Sequence, residues 1–584
     1  MRSRLAIVGC LALLFGLYLP FLHQAYHIDD PFFLALANHL LTDWAHPYAF
    51  AYNWYLTPEP VFTTMVNPPL HPYFLAAIIA VWGQAEWVVH LVSFLFVIGA
   101  FLGMYRLARR FETDPLAAAC LLVCAPAALV MSHTCMPDMA LLACTVAAVA
   151  SFITGLDRLS WRWLTVGGLL AGAASLVRYS GLGVSLVCLG YVILTAGRDR
   201  RRWLAGGLAL AIPAAIIGIW SVISWAHYGH VHLLTSLEFM RRAELPVSPS
   251  LNVLLRLAAV LHYIGGTTVF PLCVLWFYAG QGRAGWRRLG VAAILSGLGA
   301  LWTRQFCGYA PSQALLSWGM LLAAFVMAGE LIVKPVWTVV RSRSLTPRQA
   351  VDLFFIFWVL VFFLPTLPSY FPAVKRLLPL LPPLLLLFLR RLETAETACL
   401  RRWKQPALAG TVVLTLLLGL GVSWADYQQA EVYRSFAGRL VREARSPHGT
   451  TWCAGHWGFQ YYMERAGLIS FDLQRDRVQP GDHVLLAIQP WPQISAGPIA
   501  HLARLPSGTT YPVEGGTLTL FIPPRPAWPI RTVCWWGGAH FYAYLHYPNV
   551  ITFLPYSVSN APQEVFLLYR SSPTVPAHRR AGVS

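Results

Sequence analysis

The sequence predicts an α-helical polytopic membrane protein with a small C-terminal α/β domain. Three observations carry this. Of 584 residues, 57% are hydrophobic and only 12% charged, against about 25% charged in a soluble globular chain. Apolar runs of roughly 18 to 25 residues recur from Leu5 to Trp424, each long enough to cross ~30 Å of hydrocarbon as a helix. Lys and Arg gather in alternate loops of a chain whose net charge is +18, as they do where cytoplasmic loops collect cations. After Trp424 the runs shorten and polar residues return. The chain therefore divides into a membrane region, 1–424, and a soluble region, 425–584.

Arg2 and Arg4 precede the first span. Ile7-Val8-Gly9-Cys10 loosely resembles a lipoprotein cleavage site. Few apolar residues precede Cys10 and the run continues to Leu22, so a retained first helix is expected. Residues 23–72 then contain no Lys or Arg. This loop opens with His27-Ile28-Asp29-Asp30-Pro31-Phe32-Phe33, an acid pair beside the membrane. Pro31 at an early position and acids at the start predict a helix over 32–41. Trp44, Tyr48, Phe50, Tyr52, Trp54 and Tyr55 follow, a density that suits a membrane interface or a sugar-stacking wall. Asn67-Pro68-Pro69-Leu70-His71-Pro72-Tyr73 stops any helix and sets an extended approach to the next apolar segment.

Basic clusters at 106–110, 158–162, 198–202, 283–288, 334–348 and 390–404 fall in alternate loops. Counted from a cytoplasmic N-terminus they give about 13 spans, with the C-terminal domain outside. That count requires two short helices in 164–196, broken around Arg178. Cations on the outer side break the charge rule and need a reason: Arg241, Arg242, Arg304, Lys375 and Arg376, with Arg178 inside the membrane. Such a set suits a phosphate; for Lys375 and Arg376 the alternative is anchoring a helix end at the headgroups. Asp138, in Met136-Pro137-Asp138, opens the fourth span. Alone it would be a helix N-terminal acid; with Asp29-Asp30 it makes two acid sites on one membrane face.

The soluble region predicts a helix over 426–444 and strands over 451–454, 483–488, 517–522 and 564–569. His456-Trp457-Gly458-Phe459-Gln460-Tyr461-Tyr462 joins a strand to a helix and is rich in sugar-compatible groups, with loop packing as its ordinary role. No pair of the eleven Cys has metal-ligand spacing. Cys453 and Cys534, alone in this region, are expected to pair if it meets an oxidising compartment.

In order, the acid pair with Phe33, the Pro-Pro-Leu run at 68–70, Pro137-Asp138, and Arg376-Leu377-Leu378-Pro379-Leu380-Leu381-Pro382 resemble bacterial members of the dolichyl-phosphate-mannose protein mannosyltransferase superfamily. The nearest in pattern are the aminoarabinose transferases of lipid A. The resemblance covers about residues 5–424. It implies a C-type glycosyltransferase fold in the bacterial inner membrane, with the first loop and C-terminal domain periplasmic. It also implies transfer of a hexose or pentose from a polyprenyl-phosphate donor to a lipid, glycan or protein acceptor, with inversion. No cofactor is required by it; a divalent cation is compatible with the acid sites, and no nucleic-acid partner is expected. By the resemblance, Asp29 matches the catalytic acid, Asp30 the acid that follows it, and Asp138 the second-loop acid. The aminoarabinose enzymes carry a phosphate-binding Lys before Pro-Pro-Leu, where this chain has Asn67. The donor phosphate is therefore expected at Arg178, Lys375, Arg376 or Arg241, and neither aminoarabinose nor lipid A is carried over.

The chemistry fits these residue types. Glycosyl transfer needs a base for the acceptor hydroxyl and a counter-charge for the leaving phosphate. Adjacent carboxylates repel and point apart, so Asp29 is expected to face the cavity and Asp30 its own backbone or a cation. The competing class is a transporter or flippase of a lipid-linked sugar. It would share the spans and buried cations, but it needs no large acidic loop and would show inverted repeats; none is visible.

Overall fold

A computed structural model describes residues 2–54, 56–242, 248–269, 282–342, 345–368, 372–393, 398–446, 449–490, 501–542 and 553–572. Among them, eight helices are long and apolar enough to cross a membrane, or nine if Pro115–Cys124 and Pro126–Ser132, bent by 63°, form one span. The bend falls where Pro126 removes a backbone donor. Among the described helices outside this count, Leu70–Trp82 and Trp161–Val177 are shorter, about 20 and 26 Å at 1.5 Å per residue, and Gly282–Cys307 is long but less apolar.

The break expected near Arg178 is present. Helix Trp161–Val177 stops at Arg178, whose backbone is extended (φ −152°, ψ 142°), and helix Leu182–Ala196 follows a short 3₁₀ turn. In the first loop, helix Asp30–Leu40 takes Pro31 in its first turn and buries Phe32, Phe33, Leu34, Leu36, Ala37 and Leu40. The aromatic stretch after it splits: Trp44 is exposed while Tyr48 and Trp54 are buried. Tyr52 stacks on Phe32 with ring centres 5.0 Å apart. Tyr55 lies outside the described residues.

Helix Ala398–Ala444 runs 47 residues without interruption, about 70 Å, through the composition change at Trp424. Its C-terminal part packs on a six-stranded mixed sheet. Strand Thr451–Ala454 lies between Ile469–Ser470 and His483–Ala487, parallel to both, and Phe566–Ser571, Gly516–Phe521 and Thr510–Val513 continue antiparallel. Tyr433, Phe436, Cys453, Phe459, Leu485 and Phe566 fill the core between helix and sheet. The expected disulfide is not formed: Cys453 and Cys534 are free, buried thiols. Cys453 sits in the sheet core beside Ser470 Oγ (3.7 Å), whereas Cys534 belongs to a separate hairpin and donates to the Pro562 carbonyl (3.5 Å).

The soluble region docks on the loop after the first span. Helix Trp457–Arg465 places Tyr462 Oη to accept from the Tyr26 amide (3.0 Å) and to donate to Glu86 (2.8 Å). Gly458 lies against the Tyr26 carbonyl, and an added Cβ would meet that oxygen inside contact distance and the His27 Cα at 3.2 Å. Both neighbours are backbone, so neither can swing away. Gly458→Ala should destabilise this docking by on the order of 1–3 kcal/mol, read as a lower melting temperature and faster protease cleavage between the two regions. An unchanged melt and cleavage rate would mean the contact is not maintained.

Candidate active site

The site is built on the turn that carries the acid pair. Asp30 N donates to the His27 carbonyl (3.0 Å), and Ile28 between them has φ +50°. A β-branched residue is strained in that region, on the order of 1–3 kcal/mol, and such strain concentrates at functional sites. The turn separates the two acids. Asp30 is buried and accepts from the Cys135 amide (2.7 Å) and the His27 amide (3.1 Å), tying the first loop to the segment before the fourth span. Asp29 is the N-cap of helix Asp30–Leu40, yet its side chain caps nothing. It is turned outward, 29% exposed, and pairs with Lys375 at 2.5 Å.

Lys375 comes from the 3₁₀ run Val374–Leu380 and is 4% exposed. Besides Asp29 it touches Met136 Sδ (3.1 Å) and lies over the Tyr542 ring, 5.8 Å from its centre. A buried ammonium needs such partners, and the aromatic face adds a weak attraction.

Behind the pair is a network that the sequence reading missed. Asp426, on the long helix and buried, accepts at Oδ2 from Gln24 Nε2 (3.1 Å) and Tyr542 Oη (2.8 Å), and at Oδ1 from Thr532 Oγ1 (3.2 Å). Its Oδ2 is also 2.9 Å from His27 Nε2, while His27 Nδ1 is 3.4 Å from Asp30 Oδ2. His27 thus sits between two carboxylates. Burial acts to lower its pKa; the Asp426 charge, with hydrogen bonds to Asp30 and Asp426, outweighs it and raises the value from 6.5 to about 10. The folded value lies above the unfolded one, so this stabilisation is complete below pH 6.5 and is lost as pH rises through about 10. The melting temperature should therefore fall between those limits, and Asp426→Asn should flatten the slope. A wild-type melt independent of pH over that window would count against a charged His27.

On the other side, His456 is a buried imidazole whose pKa burial lowers to about 3, opposed by the Asp29 charge. It holds a proton poorly and packs on Trp54, 5.0 Å between ring centres. The 456–462 run thus borders the acid pair as well as packing a loop. His27, two residues before Asp29, and Asp426, at the apolar-to-polar junction, were the available signals.

The remaining predicted residues divide. Asp138, buried in the first turn of helix Asp138–Arg158, forms an ion pair through Oδ1 with Arg178. Arg178 stands at the break where helix Trp161–Val177 ends, and its side chain is buried. Arg376 is half-buried next to Lys375, but one residue on a 3₁₀ helix turns it a third of the way round. Arg241 lies in helix His232–Arg242, and its side chain is outside the described residues. Asn67 accepts from Tyr48 Oη through its carbonyl (2.7 Å). Among the described residues, no three His, Cys, Asp or Glu side chains converge as a metal site.

Fold and site together define a multi-pass membrane protein with an acid–lysine pair beside its first loop and a C-terminal region built on a six-stranded sheet. Residues 66–225 match the family described as dolichyl-phosphate-mannose-protein mannosyltransferase. No curated protein sequence matches. Among solved structures, the chain is similar to ArnT from Cupriavidus metallidurans bound to undecaprenyl phosphate, at 12% identity over 87% of this chain and 96% of that one, with a TM-score of 0.48. It is similar to the Archaeoglobus fulgidus oligosaccharyltransferase tethered to an acceptor peptide, at 13% identity over 81% and 64%, TM-score 0.47. It is also similar to the S. cerevisiae protein O-mannosyltransferase Pmt1-Pmt2 complex bound to the sugar donor, at 16% identity over 40% and 34%, TM-score 0.31. No residue role is carried across from these structures.

Proposed function

We propose that the protein transfers a sugar from a polyprenyl-phosphate donor to an acceptor hydroxyl, with inversion, at the membrane face that carries the C-terminal domain. The observation that supports this best is the half-open Asp29–Lys375 pair: a carboxylate and an ammonium 2.5 Å apart, held by buried partners behind them. The acceptor O–H gives its proton to an Asp29 oxygen while its oxygen bonds to the anomeric carbon. The bond from that carbon to the phosphate oxygen breaks, and its electron pair leaves with the polyprenyl phosphate. Lys375, shared between Asp29 and the incoming phosphate, stabilises the charge that develops on the leaving oxygen. Asp30, His27 and Asp426 hold the turn in place, and Arg376, the next residue after Lys375, is a further candidate for the donor phosphate. The Lys- and Arg-free first loop supports assigning this face to the periplasm and the opposite, basic ends of the helices to the cytoplasm.

Purified protein is incubated with a panel of radiolabelled undecaprenyl-phosphate sugars and membrane extract as acceptor source. Consumption of one donor with release of undecaprenyl phosphate is expected. A folded protein that consumes none, but moves a lipid-linked sugar across vesicle bilayers, would be a transporter.

A further inference from the structure

A second polar site lies far from the acid pair. Gln313 Nε2 donates to the Gly537 carbonyl (2.8 Å), which ties the start of helix Pro311–Met327 to the soluble region. Glu330 lies 17 residues further along the same helical path, about 26 Å at 1.5 Å per residue, close to the thickness of the hydrocarbon. Its surroundings therefore lie at the opposite membrane face. There the helix changes to π geometry over Ala328–Val333, a distortion that recurs at functional sites.

At this point is a cavity of about 270 Å³ lined by Lys334, Arg348, Arg390 and Arg391 with Glu330 and Asp352. Two carboxylates face four cations. Asp352 is matched to Arg390 (2.7 Å). Buried Glu330 is shared between Lys334 (3.0 Å), Arg391 (3.5 Å) and Arg288, which reaches it from outside the cavity (3.8 Å). Arg348 and Arg390 donate to each other's carbonyls (3.2 and 3.1 Å), which fixes both side chains over the opening. Three partly buried cations, with exposed Arg348 at the rim, outnumber the two carboxylates and favour an anion, and preset guanidinium groups suit a phosphate.

The adjoining helix Lys334–Ser342 buries none of its residues. Val333, Trp337 and Val340, on one helical face, are exposed. An exposed apolar face with a Trp next to a basic cavity fits the headgroup layer of a bilayer. We propose that this cavity binds the phosphate headgroup of an anionic membrane lipid, with the acyl chains along the Val333–Trp337–Val340 face. The volume is just below the ~300 Å³ at which whole-ligand pockets begin, which suits a headgroup whose chains remain outside.

The test is lipid binding by native mass spectrometry on the full-length protein in detergent, with phosphatidylglycerol, phosphatidylcholine or inorganic phosphate as the probe. Phosphatidylglycerol adducts should exceed phosphatidylcholine adducts. A Lys334→Gln/Arg348→Gln variant should lose phosphatidylglycerol binding by roughly 30-fold, at about fivefold per cation near a surface; Lys334→Arg/Arg348→Lys, which keeps the charge, should retain it. Equal wild-type binding of the two lipids overturns the proposal without any variant. So does a Gln variant that keeps the preference, or a cavity that takes inorganic phosphate as readily as the lipid.

Discussion

Asp29→Asn should abolish most sugar transfer, by about 10²- to 10⁴-fold in rate, while the protein folds and still binds donor. The substitution is nearly isosteric, and Asn Oδ1 can still accept from Lys375, so the buried ammonium keeps a hydrogen bond. What disappears is the anionic oxygen that takes the acceptor proton. Lys375→Met makes the complementary prediction. It leaves Asp29 partly solvated and intact but removes the counter-charge for the phosphate, so donor binding should fall along with turnover. Rates measured with a labelled donor, beside donor binding and size-exclusion profiles, separate the two. Wild-type turnover by a folded Asp29→Asn protein would remove the base from the proposed mechanism. Asp30→Asn should act differently: Cys135 N–H and His27 N–H donate to different carboxylate oxygens, the amide NH2 replaces one of them and sets donor against donor there, and the melting temperature should fall.

Arg178→Ala should have the largest effect on stability. It leaves the Asp138 carboxylate buried without its counter-ion, a loss of about 3–5 kcal/mol when one partner of a buried pair is removed. The double variant Asp138→Ala/Arg178→Ala should recover much of this, because no charge is then stranded. Thermal unfolding in detergent reads both. If Arg178→Ala melts like wild type and instead loses donor affinity, Arg178 serves the phosphate and the pair with Asp138 is a resting arrangement.

Those two outcomes mark where the sequence reading was ambiguous. A cation in an apolar span required a polar cavity or a partner, and local sequence pointed to a phosphate without naming the carboxylate that the fold supplies. The same holds for Lys375, whose partner Asp29 is 346 positions away. Asp426 stands out in the sequence only by its place at the end of an apolar run, where a single acid is ordinary at a headgroup layer. Its four polar neighbours come from two distant parts of the chain, Gln24 and His27 in the first loop and Thr532 and Tyr542 in the C-terminal region.

The sequence by itself determined what depends on neighbours in the chain. Hydropathy runs and alternate basic loops set the helical membrane class. Pro31 and the acids set the helix at Asp30–Leu40. The charge pattern demanded the break at Arg178, and residue periodicity located the core strands of the soluble region. Only the tertiary structure decided what depends on how the helices cross: Asp29 against Lys375, His27 between Asp30 and Asp426, and Tyr542 over the ammonium. It also decided that helix Ala398–Ala444 continues through the boundary the composition suggested at Trp424. Apolar and polar side chains can share one helix: no Pro lies near Trp424, and Gly419 and Gly421 just before it stay helical, so hydropathy marks a change of solvent and leaves the backbone unbroken.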